Sequence, residues 1–134
     1  MATGLENLKV YQMAEELELL VFELLKTFPK DEKYRTIDQI KRSSSSVTNN
    51  IAEGYNRYSF QEKIRSLVIA KGEAEETKMN ILKSAKKEFL PQDIASEVAD
   101  KYTELLKAIS GYIRFIRNSK GEKLSNLSTN KLGN

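Results

Sequence analysis

Two prolines, Pro29 and Pro91, are the only ones in the chain, and the stretches between them carry apolar residues at helical spacing. A proline removes a backbone donor and pushes its predecessor out of the α region, so each marks a helix end. With six glycines, 40% hydrophobic and 31% charged residues, the sequence has little of the punctuation that a strand-rich fold needs. Its 134 residues supply one core and too little for two.

The first segment, about 8–27, places Tyr11, Ala14, Leu17, Val21, Leu24 and Phe28 on one stripe, widened by Leu20 and Leu25. The second, about 32–54, repeats Ile37, Ile40, Ser44, Val47, Ile51 and Gly54 at alternating steps of three and four. Its centre, Ser43–Ser46 with Thr48, Asn49 and Asn50, is poor in helix formers. Those small side chains serve either close helix packing or a binding surface. Gly54 reads as a helix end, and Ser59 with Glu62 has capping-box spacing for a third helix, about 59–88. Its narrow stripe of Phe60, Ile64, Leu67, Ala70, Ala74, Thr77, Ile81 and Ala85 predicts tight packing, and Gly72 inside it predicts a close crossing. After Pro91 the fourth segment, about 92–118, follows Ile94, Val98, Tyr102, Leu105, Ile109, Tyr112 and Ile116. Four long helices with short connections predict an all-α, antiparallel up-down-up-down four-helix bundle over residues 1–119, with a disordered basic tail over 120–134.

The net charge of +3 lies in the residues after Ile116. Arg117, Lys120, Lys123 and Lys131 face one acid, Glu122, and the rest of the chain is balanced. The chain has neither histidine nor cysteine, which removes the commonest general base, the usual nucleophile activators and the soft metal ligands together. No catalytic residue, metal site or cofactor is expected. Glu73, Glu75 and Glu76 could hold magnesium only as a carboxylate cluster, and with Lys71 and Lys78 beside them they read as a solvated, charge-paired face. There is no apolar run long enough to cross a bilayer and no leader-like start, so a soluble cytoplasmic protein is expected.

Basic and aromatic residues do interleave between positions 41 and 65. Lys41, Arg42, Arg57, Lys63 and Arg65 outnumber Glu53 and Glu62, with Tyr55 and Tyr58 among them. That mixture suits nucleic acid or an acidic protein surface, and equally an ordinary solvated helix end. Asn50 and Glu53 share a helix face and suggest either a polar cluster that fixes oligomer register or capping near Gly54.

In order along the chain, Leu8-Lys-Val-Tyr-Gln-Met-Ala14, Phe28-Pro-Lys-Asp-Glu-Lys-Tyr34, Gln39-Ile-Lys-Arg-Ser43, Asn50-Ile-Ala-Glu-Gly54, Arg57 and Ile69-Ala-Lys-Gly-Glu-Ala74 resemble the 23S rRNA intervening-sequence protein family, also called S23 or bAvd-like. The resemblance covers about 8–118. Family members typically carry a proline just before the Asn-Ile-Ala-Glu-Gly element, where this chain has Val47, Thr48 and Asn49, so a straighter second helix is expected. Tyr11 stands where Trp is frequent and Ser44 where Ala is common. The resemblance implies a ring-like homo-oligomer, commonly a pentamer, and no catalytic residue. It also implies RNA or DNA, or a nucleic-acid enzyme such as a reverse transcriptase, as partner. The alternative is a protein-protein interaction module without nucleic-acid affinity.

Overall fold

The computed structural model describes the backbone of residues 4–132 and the side chains of residues 4–119. After a short 3-10 turn at Leu5–Asn7 come four helices: α1 (Lys9–Leu25), α2 (Asp38–Asn56), α3 (Phe60–Lys86) and α4 (Gln92–Leu132). Each helix packs against the next and α4 returns to α1, which closes a four-helix bundle. The connections between α2 and α3 and between α3 and α4 span only 57–59 and 87–91, so these neighbours run antiparallel. Among the described residues no helix is long and apolar enough to cross a membrane.

The core follows the expected stripes in their middle and departs from them at the edges. Ile40, Val47 and Ile51 from α2 and Leu67, Ala70, Ala74 and Ile81 from α3 are fully enclosed. They meet Val21 of α1 and Tyr102, Leu105 and Ile109 of α4, each large apolar side chain contributing about 1.5–3 kcal/mol relative to exposure. Tyr11, Leu24, Phe60, Ile64, Ile94 and Tyr112 are only half-buried, Leu20 is exposed, and Val10, Ala95 and Ile113, which lie off the expected stripes, take core places. Tyr102 keeps its phenol protonated well above the usual range, chiefly because it is buried and secondarily because Glu18 lies near.

Pro29 ends α1 as expected, and the chain then makes a 3-10 turn (Lys30–Glu32) and a π turn (Lys33–Ile37) before α2. Buried Glu32 ties this passage together: its carboxylate accepts from the Thr36 hydroxyl at 2.7 Å and pairs with Arg35 at 2.5 Å. The Thr36 hydrogen bond, ahead of the charges of Arg35 and Lys87, holds the Glu32 carboxyl below the usual range despite the opposing pull of desolvation. Beyond that turn α2 is continuous through Val47, Thr48 and Asn49.

Neither of two glycines takes the role that the sequence suggested. Gly54 does not end α2, which runs on to Asn56; it is buried where α2 and α3 meet. A β-carbon there would lie 3.1 Å from the Lys63 carbonyl oxygen and 3.3 Å from the Leu67 side chain, so the crossing admits only glycine without a shift. Gly72, in contrast, is exposed, and a β-carbon there meets nothing within 4 Å. The close crossing belongs to position 54 because there the row of α2 faces the start of α3, while residue 72 has rotated to the outer side of α3.

Helix ends differ as well. Ser59 caps α3, its hydroxyl accepting from the Glu62 N–H at 3.1 Å, but the helix stops at Lys86 rather than 88 because Glu88 takes a left-handed φ of 64°. The Glu88 and Phe89 amides then bond to the Ala85 and Ser84 carbonyls and close the end of the helix. The fourth helix, expected to stop near 118 and give way to a disordered tail, stays helical to Leu132, since no proline follows Pro91 and a lone Gly121 lowers helix propensity without ending it. Lys120 and Lys123, assigned to that tail, have side chains outside the described residues.

Gly54→Ala forces a backbone carbonyl to move and should destabilise the protein by about 1–3 kcal/mol. Gly72→Ala should add about 0.5–1 kcal/mol of helix stability to the subunit. Urea unfolding of the two variants beside the parent checks both signs; equal effects would contradict the placement of the crossing.

Candidate nucleic-acid interface

The basic residues between 41 and 65 do not form one surface. Lys41 and Arg42 lie in the first turns of α2, whereas Arg57, Lys63 and Arg65 surround the α2–α3 turn, roughly 20 Å away along the helix. The antiparallel course carries the part of α4 around exposed Arg117 to the same end as the α2–α3 turn. That end therefore gathers Arg57, Lys63, Arg65 and Arg117.

The members of this group do different work. Lys63 is half-buried, and its ammonium donates to the Tyr55 carbonyl at 2.9 Å and the Gly54 carbonyl at 3.4 Å. It thus satisfies the exposed carbonyl end of α2, where a cation also favours the negative pole of the helix. Arg57 forms an ion pair with Glu53 one turn back, both half-exposed, and such pairs contribute at most about 1 kcal/mol. Arg65 and Arg117 are exposed. Tyr58 projects fully into solvent between Arg57 and Ser59.

Asn50 and Glu53 are not joined. Asn50 donates to the Ser46 carbonyl at 2.9 Å and the Ser46 hydroxyl at 3.0 Å, while Glu53 turns to Arg57. The small residues of α2 divide likewise: Ser43 and Ser44 are buried toward the other helices, and Ser43 Oγ and Thr77 Oγ1 share a hydrogen bond of 2.7 Å across the α2–α3 contact. Ser44 also joins Ser45, Ser46, Asn49 and Asn50 in lining an open groove of about 750 Å³ between α1 and α2.

That groove was not foreseen. Its apolar wall is Leu19 and Phe22, 60% and 46% exposed, and the Lys26 and Lys41 ammonium groups stand 5.0 and 5.5 Å from the centre of the Phe22 ring. The available signal was the unbroken apolar run Leu19–Phe22, which runs around the helix and so cannot all face one core. Arg42 pairs with Asp38 at 3.2 Å on the exposed side. Glu73, Glu75 and Glu76 enter no ion pair with Lys71 or Lys78 among the described residues, contrary to the charge-paired face expected of them. No group of three or more acidic side chains there converges on a position for a metal ion.

These features define an all-α four-helix bundle with basic residues at one end and an open groove on one side. Residues 6–111 match the model of the 23S rRNA-intervening sequence protein family, and the chain belongs to that family. The fold is similar to a crystal structure at 1.70 Å of a protein of unknown function from the S23 ribosomal protein family of Bacteroides thetaiotaomicron. The two share 25% identity with a TM-score of 0.73, over 78% of this chain and 95% of that one. No curated protein matches.

Lys63→Ala should fray the end of α2. Amide exchange at positions 53–57 is expected to accelerate, with a global loss of about 0.5–1.5 kcal/mol, the net worth of a hydrogen bond. Unchanged exchange there would remove Lys63 from its capping role.

Proposed function

We propose that this protein is a non-enzymatic, cytoplasmic, ring-like homo-oligomeric scaffold, with a pentamer as the expected assembly, that binds RNA or DNA, or a nucleic-acid enzyme such as a reverse transcriptase. The observation that carries the reading is the gathering of Arg57, Arg65 and Arg117 at one end of a body whose charges sum to zero over residues 1–116. From that end α4 leads into the segment that holds the remaining excess of Lys. Repetition around a ring would set several such ends against one phosphate backbone, turning a weak contact into avidity.

Self-association is supported by large apolar side chains left on separate sides of the bundle: Leu19 and Phe22 on α1, Val68, Ile69 and Met79 on α3, and Phe115 on α4. Patches of this kind on a small domain mark interaction surfaces. The same patches favour a second reading, an interaction module without nucleic-acid affinity, in which only proteins are held.

Binding of single-stranded RNA by the full chain should weaken steeply between about 50 and 200 mM salt. Each of Arg57→Ala, Arg65→Ala and Arg117→Ala should reduce the log-log salt slope by roughly 0.7 for every phosphate that the substituted arginine neutralises in the parent. No binding at the lower salt, with a protein partner captured in the presence of nuclease, would overturn nucleic-acid binding and leave the second reading.

A further inference from the structure

The end of the bundle that gathers the arginines also gathers aromatic rings. Phe115 of α4 is 64% exposed and stacks on half-buried Tyr112, the ring centres 6.4 Å apart and the planes 14° from parallel. Tyr58, in the α2–α3 turn, is fully exposed. Burial, and after it the nearness of Tyr55, raises the Tyr112 phenol above its ordinary range, so the ends of α2 and α4 come close at these two residues. Both helices run antiparallel to α3 and hence parallel to each other. Three residues further along, Tyr58 just past the end of α2 and Phe115 on α4 therefore stand at about one level.

Uncompensated charge accompanies the rings. In the parts of the chain that form this end, residues 4–14, 51–66 and 111–119, Lys and Arg outnumber acids six to three. The acids are Glu6, Glu53 and Glu62, and Glu53 is taken up by Arg57. Counted from the 87–91 connection, Arg114 stands level with Ile64 and Arg117 with Gln61, which sets both near the level of Arg65. These three arginines are exposed and form no ion pair among the described residues.

We propose that this end takes single-stranded nucleic acid, with bases stacking on Phe115 and Tyr58 and phosphates meeting Arg65, Arg114 and Arg117. The inference rests on the nucleic-acid reading above and specifies the form of the polymer. An exposed ring stacks on a base whose own face is free, and inside a duplex both faces of each base are covered by its neighbours, so stacking selects an unpaired strand. Phosphate contacts alone make no such choice, because every strand carries the same backbone charge. Arginine serves both parts, since its planar guanidinium meets phosphate oxygens in pairs and also lies flat on rings. Self-association is the competing use of Phe115. Burial of Phe115 between two copies would also take neighbouring Arg114 toward an apolar face, a desolvation that a phosphate offsets and an apolar face does not.

Fluorescence anisotropy of the full chain with a labelled single-stranded RNA, and with the duplex of the same strand, tests the choice. The single strand should bind more tightly at equal salt. Phe115→Ala and Tyr58→Ala should each weaken it by about 5- to 150-fold and leave the log-log salt slope unchanged, because a base contact releases no counterions. Phe115→Trp, which keeps a stacking face, should bind as the parent does. Both positions are exposed, and unchanged helical circular dichroism and light-scattering mass check fold and assembly. A parent that binds neither form at low salt would overturn the nucleic-acid reading and this inference together. Equal affinity for duplex, or binding that both alanine variants retain while Arg65→Ala or Arg117→Ala still lowers the slope, would leave that reading standing and overturn the stacking. Loss of oligomeric mass in Phe115→Ala at unchanged RNA affinity would overturn it too and assign Phe115 to self-association. Poly-glutamate bound as tightly as RNA, with the same losses in the variants, would overturn it and assign the end to an acidic protein.

Discussion

The close contact of α2 with α3 is the constraint on which the rest of the molecule depends. At one end Gly54 admits the Lys63 carbonyl and the Leu67 side chain to a distance that a β-carbon could share only if its neighbours shifted; at mid-height Ser43 and Thr77 bridge the helices through their hydroxyls. Such proximity needs small side chains, and those are what α2 places at its centre and α3 along Ala70, Ala74 and Thr77. Three of the buried hydroxyls bond back to the preceding turn, Ser43 to the Ile40 carbonyl, Thr77 to Glu73 and Ser84 to Asn80, whereas the buried Thr48 hydroxyl finds no partner among the described residues. Two helices held this near fix the level at which the others must pack.

From that seam follow the outer surfaces. The contact of α1 with α2 is looser than that of α3 with α2, and a groove opens between α1 and α2 with Ser44, Ser45 and Ser46 on one side and Leu19 and Phe22 on the other. Because α3 turns its small residues inward, its larger apolar ones, Val68, Ile69 and Met79, face out. A single subunit is therefore a well-filled core inside a surface with two unfinished sides, while its basic residues collect at the end where α2 turns into α3. The scaffold reading and the division of labour between sides and end both grow from this asymmetry.

Much of the bundle was legible in the sequence, because helical spacing and proline stops are local signals. The capping pair Ser59 and Glu62 and the halt before Pro29 read directly. What failed to read was anything set by rotation or by a neighbouring helix. Gly54 and Gly72 look alike in sequence, yet one meets a carbonyl and the other meets solvent, a difference that depends on how far α3 turns between them. Lys41, Arg42 and Arg57 look like one basic patch until the length of α2 separates them. Lys63, read as surface charge, folds back onto the carbonyls that end α2. The family resemblance was legible because its elements lie at those same landmarks, and the groove was not, since it belongs to two helices rather than to a motif.

Native-state hydrogen exchange tests the primacy of the α2–α3 contact most directly. If that contact is the part of the fold on which the others rest, amides on the facing sides of α2 and α3, around Ser43, Val47, Ile51, Ala70 and Thr77, will exchange only with global unfolding, and those of α1 will open at lower free energy. Protection that persists in α1 and α4 after the α2–α3 amides have exchanged would contradict the account.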